Sequence, residues 1–233
     1  MSFNYKYVLA LFTIGALFCC ESPNNVKLDS LQSIHDSIKN IHAPDKRVAI
    51  FDISIAQEGN QIVLSGETDQ KEALSDLLKT IKSKGYAVKN AVSALPDSSV
   101  GIFTRAIVNN SVANIRSQAK HSGELATQAI LGTPLKVLKI AGDFYQVQTP
   151  DGYISWVDNG GVSLLTLEEY QNWADSPKVI FTRPYGFVYQ EENHELKKVS
   201  DIVLGAQLKL LSTSDNYFKV EYPDKRTGFN KKE

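Results

Sequence analysis

Residues 131 to 156 and residues 204 to 229 are one segment written twice: LGTPLKVLKIAGDFYQVQTPDGYISW superposes on LGAQLKLLSTSDNYFKVEYPDKRTGF without a gap, Leu131 falling on Leu204 at an offset of 73 residues. Leu131/Leu204, Gly132/Gly205, Leu135/Leu208, Lys136/Lys209, Leu138/Leu211, Val147/Val220, Pro150/Pro223 and Asp151/Asp224 are identical. Aromatic character is kept at Phe144/Tyr217, Tyr145/Phe218 and Trp156/Phe229. A segment that recurs at a fixed period is one supersecondary unit used twice.

Within each copy apolar residues alternate, as at Leu135 and Val137 or at Tyr145 and Val147, between turn signals such as Ala141-Gly142-Asp143 and Pro150-Asp151-Gly152. That pattern predicts short half-buried strands joined by tight turns. Five or so such strands in roughly 60 residues make a small SH3-like barrel. The first is expected over residues 100–165 and the second over 178–233. Residues 162 to 164 have no counterpart in the second copy and are expected to supply the closing strand of the first. Between the copies, Thr166 and Glu169 have the spacing of a capping box. They open a linking helix over 166–176 whose Leu167, Tyr170 and Trp173 share a face expected to pack between the barrels.

Upstream of residue 100 the periodicity changes. Leu31, Ile34, Ile38 and Ile41 recur at three and four residues, the stripe of an amphipathic helix, with Asp29 and Gln32 as its capping box and Pro44 at its end. His35 and His42 are expected at the surface or the helix end rather than as ligands. Ala49, Phe51, Ile53 and Ile55 then alternate with polar residues, and after Glu58-Gly59-Asn60 so do Ile62 and Leu64, which predicts a hairpin. Asp69 and Glu72 cap a second helix carrying Ala73, Leu74, Leu77, Leu78 and Ile81, ended by Gly85, and residues 86–92 return as a strand. Residues 28–95 therefore read as an α+β unit, and Pro96-Asp97-Ser98-Ser99 as the boundary to the β units. The unit resembles BON-type domains of bacterial envelope proteins by pattern and location; an unrelated α+β sandwich fits the same pattern.

The first residues indicate export. Lys6 precedes an apolar run over 7–18 that is too short to span a bilayer of about 30 Å. A basic start followed by a short apolar stretch is the pattern of a signal peptide, here residues 1–19. Leu17-Phe18-Cys19-Cys20-Glu21 resembles a bacterial lipobox, which makes Cys20 the lipidation site, residues 20–27 a tether and the membrane a partner through the lipid; plain secretion is the alternative. The chain's two cysteines both lie here, so no disulfide is expected in the folded part.

Charge excludes other classes. Lys and Arg number 25 against 26 for Asp and Glu, a balance that makes no basic field for nucleic acid. HExxH, P-loop, dinucleotide-turn and GxSxG motifs are absent, and four scattered histidines without partners make no metal site, so no cofactor is expected. The adjacent pairs Glu168/Glu169 and Glu191/Glu192 read as solvated charge.

Asn114-Ile115-Arg116, then residues 122–132 (SGELATQAILG), then residues 150–157 (PDGYISWV), resemble the first bacterial SH3 domain of NlpC/P60-type cell-wall endopeptidases, which cleave γ-D-glutamyl-diamino acid bonds in peptidoglycan stem peptides. The resemblance covers residues 100 to 229. It implies that Glu124 and Tyr153 hold the free amine of the stem peptide's L-alanine, since an ammonium needs a carboxylate and a shaped wall. The second copy has Lys198 at the offset of Leu125 and Arg226 at that of Tyr153, and is expected to be structural. In that family a domain with a cysteine nucleophile follows the second SH3 module, whereas this chain ends with Asn230-Lys231-Lys232-Glu233. The expectation is thus a lipid-anchored envelope protein that is itself no enzyme and binds stem peptide or docks a cell-wall hydrolase. The front portion of a cysteine endopeptidase and a plain envelope scaffold are the alternatives.

Overall fold

The computed structural model describes residues 23 to 232 other than 194 and 196, with side chains from Leu28 onward. Cys20, the signal sequence and most of the tether lie outside the described residues. Among the described residues there are three α-helices and sixteen strands, the strands lying in three sheets.

The α+β unit runs α1 (Pro23–His42), β1 (Phe51–Glu58), β2 (Gln61–Thr68), α2 (Lys71–Ser83) and β3 (Ala87–Ala94). β1 and β2 are an antiparallel hairpin from Phe51↔Thr68 to Glu58↔Gln61, and β3 lies parallel to β2 from Gln61↔Ala87 to Thr68↔Ala94. A parallel partner needs a crossover, and α2 supplies it. Leu31, Phe51, Ile53, Leu64, Leu77 and Ile81 make the core between helices and sheet.

Neither helix starts as expected. α1 is already helical upstream of Asp29, so that residue sits inside the helix instead of capping it. Asp69 takes a tertiary partner, accepting the Ile50 N–H at 2.7 Å, while the Thr68 hydroxyl accepts the Gln70 N–H at 2.9 Å. The stripe on α1 also differs at its ends. Ile41 is 74% exposed, and His35, expected at the surface, is only 4% exposed and stacks on Phe51 at 5.4 Å. Its Nδ1 meets the Asp36 carboxylate at 2.8 Å and its Nε2 has no partner. Leu31, Ile34, His35 and Ile38 together follow the spacing of one buried helix face.

The first β unit holds β4 (Arg105–Val108), β5 (Val112–Arg116), β6 (Leu125–Ile130), β7 (Pro134–Ala141), β8 (Phe144–Gln148), β9 (Ile154–Asp158) and β10 (Val162–Leu165). After α3 (Leu167–Asp175), the second holds β11 (Lys178–Ile180), β12 (Tyr185–Tyr189), β13 (Lys198–Val203), β14 (Gln207–Thr213), β15 (Tyr217–Glu221) and β16 (Thr227–Lys231). The sheet orders are β10-β4-β7-β8-β9-β5-β6 and β11-β14-β15-β16-β12-β13, the same order apart from β10. The repeat holds at the level of single bonds. Gly132 N–H reaches Val108 O at 2.9 Å and Gly205 N–H reaches Phe181 O at 2.8 Å, both again 73 residues apart. The register shifts at Val137/Lys139 and at Leu210/Ser212 match in the same way.

No sheet closes. β10 pairs along the outer edge of β4, Val162↔Val108 to Leu165↔Arg105, and so lengthens the sheet at one end while β6 remains the other end. The closure expected of residues 162–164 is therefore replaced by an added edge strand. β10 and α3 instead cover Ile107, which is packed against Leu165, Trp173 and Tyr170. Thr166 and Glu169 form the expected capping box, with Thr166 N–H to the Glu169 carboxylate at 2.9 Å and Glu169 N–H to the Thr166 hydroxyl at 3.2 Å. Ile180, the repeat counterpart of Ile107, is 57% exposed.

The two units join through the repeat itself. Leu131 belongs to the core of the second unit, among Val188, Ile202, Ala206, Leu208, Val220 and Tyr222. Its carbonyl accepts the Gln207 N–H at 3.0 Å. Leu204, the same residue one repeat later, is 58% exposed.

Candidate functional site

Glu124 ends the loop from β5 to β6. Arg116 pairs with Leu125 across those strands, and the Ser117 N–H donates to the Glu124 carbonyl at 2.9 Å. The Arg116 guanidinium donates to Gly123 O at 2.9 Å, which fixes the loop just before the carboxylate. The Glu124 side chain is exposed and makes no hydrogen bond or ion pair among the described residues.

Tyr153 precedes β9 by one residue. Its carbonyl accepts from the Thr149 N–H at 3.0 Å and closes the turn over 149–153, in which Gly152 has φ +93°. The α+β unit clamps that turn. Ile154 N–H donates to Arg47 O at 2.7 Å, the Gln148 amide donates to Val48 O at 3.2 Å, and Leu95, Leu138, Ile154 and Ile50 form a small shared core. Lys139 and Glu67 add an ion pair at 2.5 Å.

The Arg47 guanidinium lies 5.9 Å from the centre of the half-buried Tyr153 ring. It is held bidentately by Asp45, Nε to Oδ1 at 3.0 Å and Nη2 to Oδ2 at 2.7 Å. Hydrogen bonding from Arg47 pulls the Asp45 carboxyl down to about 2. Since the folded value lies below the unfolded one, this contact favours the folded state above the ordinary carboxylate range and fades as pH falls through about 2. An NMR titration should show Asp45 still ionised at pH 3, and Arg47→Ala should return its midpoint to near 4.

Glu124 and Tyr153 thus stand at the same end of the seven-stranded sheet, with β5 between β6 and β9. Two strand spacings separate β6 from β9, about 10 Å. No hydrogen bond joins the two residues among those described. Arg47 and Asp45 escape the sequence pattern, because they belong to a loop that comes next to Tyr153 only through the docking of two units.

A second feature is a cleft of about 370 Å³ over β5 and β9, lined by Asn110, Asn114, Arg116, His121, Phe144 and Asp158 among others. His121 Nε2 lies 3.5 Å from Asp158 Oδ2 and its ring meets Phe144 edge-on at 5.1 Å. The site of Tyr153 in the second unit is taken by Arg226, which pairs with Asp224 at 2.6 Å and donates to Asn109 O of the first unit at 2.9 Å. No group of three or more His, Cys, Asp or Glu among the described residues is placed to hold a metal ion. No described helix is long and apolar enough to cross a membrane.

The family model described as the bacterial dipeptidyl-peptidase SH3 domain matches residues 115–161, so a bacterial SH3 domain is present. No curated protein matches the chain. Among solved structures it is similar to an NlpC/P60 family protein from Bacillus cereus at 19% identity and TM-score 0.47, over 55% of this chain and 54% of that one. It is also similar to NlpC2 of Trichomonas vaginalis, at 8% identity and TM-score 0.24, over 55% of this chain and 45% of that one. NlpC1 of the same organism gives 10% identity and TM-score 0.24, over 54% and 42%. The chain spans about half the length of these structures.

Proposed function

We propose that this is a lipid-anchored protein of the bacterial cell envelope that holds peptidoglycan stem peptide on its first β unit and performs no catalysis with its own residues. The observation that carries the reading is the SH3 match over 115–161, which spans both Glu124 and Tyr153. In this reading both β units are SH3-like modules, and the α+β unit, BON-like in its order of elements, buttresses the first.

Charge supports the assignment of the ends of the ligand. L-Ala-γ-D-Glu carries an ammonium at one end and carboxylates at the other. Glu124 offers an exposed carboxylate without a partner among the described residues, and Arg47, whose Nε and Nη2 are held by Asp45, offers the remaining Nη1 edge of its exposed guanidinium beside Tyr153. A sheltered charge-assisted hydrogen bond contributes about 1.5–3 kcal/mol, so Glu124→Ala should weaken the dipeptide about tenfold or more in calorimetric titration. Unchanged affinity in that variant removes the site from Glu124.

The anchor is proposed at Cys20 on the lipobox pattern. Two or more acyl chains hold a protein stably on a membrane, one chain only marginally. Cys20→Ala should therefore abolish incorporation of labelled palmitate and move the protein from the membrane fraction to the soluble one. Labelling that survives the substitution would locate the lipid elsewhere.

A further inference from the structure

The second unit repeats an edge that the first unit covers. Ile107 and Leu131 are fully buried, whereas their counterparts 73 residues on, Ile180 and Leu204, are 57% and 58% exposed. In the first unit β10 lies along the outer edge of β4, and Leu165, Tyr170 and Trp173 pack over Ile107. β11 occupies the place of β4 and, among the described residues, is the end strand of its sheet.

The edge is open at the level of single bonds. Along an antiparallel strand, successive residues turn their N–H and C=O groups to one side and then to the other. In the first unit Val108 N–H turns inward to Thr133 O at 3.1 Å, and Asn109 N–H turns outward to Gly161 O at 3.0 Å. One repeat later Phe181 N–H turns inward to Ala206 O, and Pro177 O accepts Leu210 N–H, both at 2.9 Å. That phase directs the N–H and C=O of Ile180 and the N–H of Thr182 outward, where no described group bonds them. Edge strands are often guarded by a lysine held out to solvent, and Lys178 is placed for that task. Its ammonium instead turns back to the end of α3, donating to the Trp173 carbonyl and to Ser176 O at 2.8 Å.

We propose that β11 is a docking edge for a partner protein, which adds an antiparallel strand there and lays an aromatic residue of a following helix over Ile180. The first unit supplies the form of that partner. Its strand Val162–Leu165 has four residues and ends in a leucine, and rings follow five and eight residues later at Tyr170 and Trp173. Backbone pairing holds such a segment, and the apolar contact with Ile180 fixes its register. β11 of a second copy is a poorer match, because β12 follows it and no helix is at hand to cover Ile180. The second repeat, expected to be framework only, thereby acquires a binding role of its own, independent of Glu124 and Tyr153.

The test is an NMR titration of the full chain with a synthetic peptide of residues 161–175, GVSLLTLEEYQNWAD, and with the same peptide carrying Leu165→Ser and Trp173→Ser. The first peptide should give saturable amide shifts at Ile180 and Thr182 and slow their hydrogen exchange. The doubly substituted peptide should bind at least about tenfold more weakly. In the chain, Ile180→Pro removes the outward N–H and leaves the inward bond of Phe181 in place, and should weaken binding at least about fivefold. Ile180→Ser keeps that N–H, removes the apolar contact and should weaken binding to a similar degree, about fivefold. Absence of saturable shifts at Ile180 and Thr182, shifts confined to β4 around Ile107, equal binding of the two peptides, or full affinity in either Ile180 variant would overturn the proposal. So would slow exchange of these two amides in the chain alone that is lost on dilution, since a second copy would then be the occupant.

Discussion

Leu131→Ala is expected to destabilise the chain by about 3 kcal/mol, and Leu204→Ala, at the same place in the next repeat, by less than about 0.5 kcal/mol. The residues are identical and the backbone around them repeats. Each N–H reaches the corresponding carbonyl, Ser111 O at 3.1 Å for Leu131 and Pro184 O at 3.4 Å for Leu204. What differs is the neighbour. Leu131 is fully buried in the core of the second unit, where its truncation leaves a cavity lined by Val188, Ile202, Leu208 and Tyr222. Leu204 stays largely in water, so little is lost. Denaturant unfolding of both variants measures the difference, and because Leu131 comes from the first unit, its loss should also separate one transition into two. Equal effects at 131 and 204 would mean that the joint carries no stability.

Gly132→Ala should cost about 3 kcal/mol or more, and Gly205→Ala about 1 kcal/mol. Both glycines have left-handed backbone, φ +87° and φ +85°. Any other L-residue is strained there, so both substitutions share that cost. Only the first meets a wall. A Cβ on Gly132 would stand 2.4 Å from Gln207 O and 2.8 Å from Gln207 Cβ, whereas on Gly205 it would meet only the end of the Ile130 side chain at 3.1 Å. A side-chain methyl can move aside; a carbonyl in the Leu131–Gln207 joint cannot without breaking it. Thermal unfolding of the pair isolates the clash from the conformational cost.

Much of this architecture was legible from spacing. The alternation in residues 131–156 and 204–229 set the strands, and a gapless offset set their common order, because turns of equal length at equal positions keep the hairpin registers in step. The hairpin at Gly59-Asn60 and the Thr166/Glu169 capping box were local patterns and formed as local patterns. What spacing did not reveal depended on remote partners. Sheet closure is a bond between distant edges, and β10 took the β4 edge instead. Asp69 has a good capping position but a better acceptor role toward Ile50, nineteen residues away. His35 is a different case, since its place four residues after Leu31 put it on the buried stripe, and only its residue type argued for the surface.

For the site, Glu124 and Tyr153 were named by motif, and the structure puts both at one end of one sheet. Arg47 and Asp45 could not be named, because nothing near them in the chain marks the turn they clamp more than a hundred residues away. The difference between the two units was present in the offset: setting Val112, Asn114 and Arg116 beside Tyr185, Phe187 and Tyr189 shows three non-aromatic residues replaced by rings. Alternation along β12 then brings those three rings into edge-to-face contact.

The most direct test of the stem-peptide account is a map of backbone amide shifts in the intact chain on addition of L-Ala-γ-D-Glu. The account predicts saturable shifts centred on Glu124, the 149–153 turn and Arg47, with the β12 face of the second unit silent. A dipeptide that shifts nothing at millimolar concentration, or whose shifts leave Glu124 and Tyr153 untouched, would contradict it.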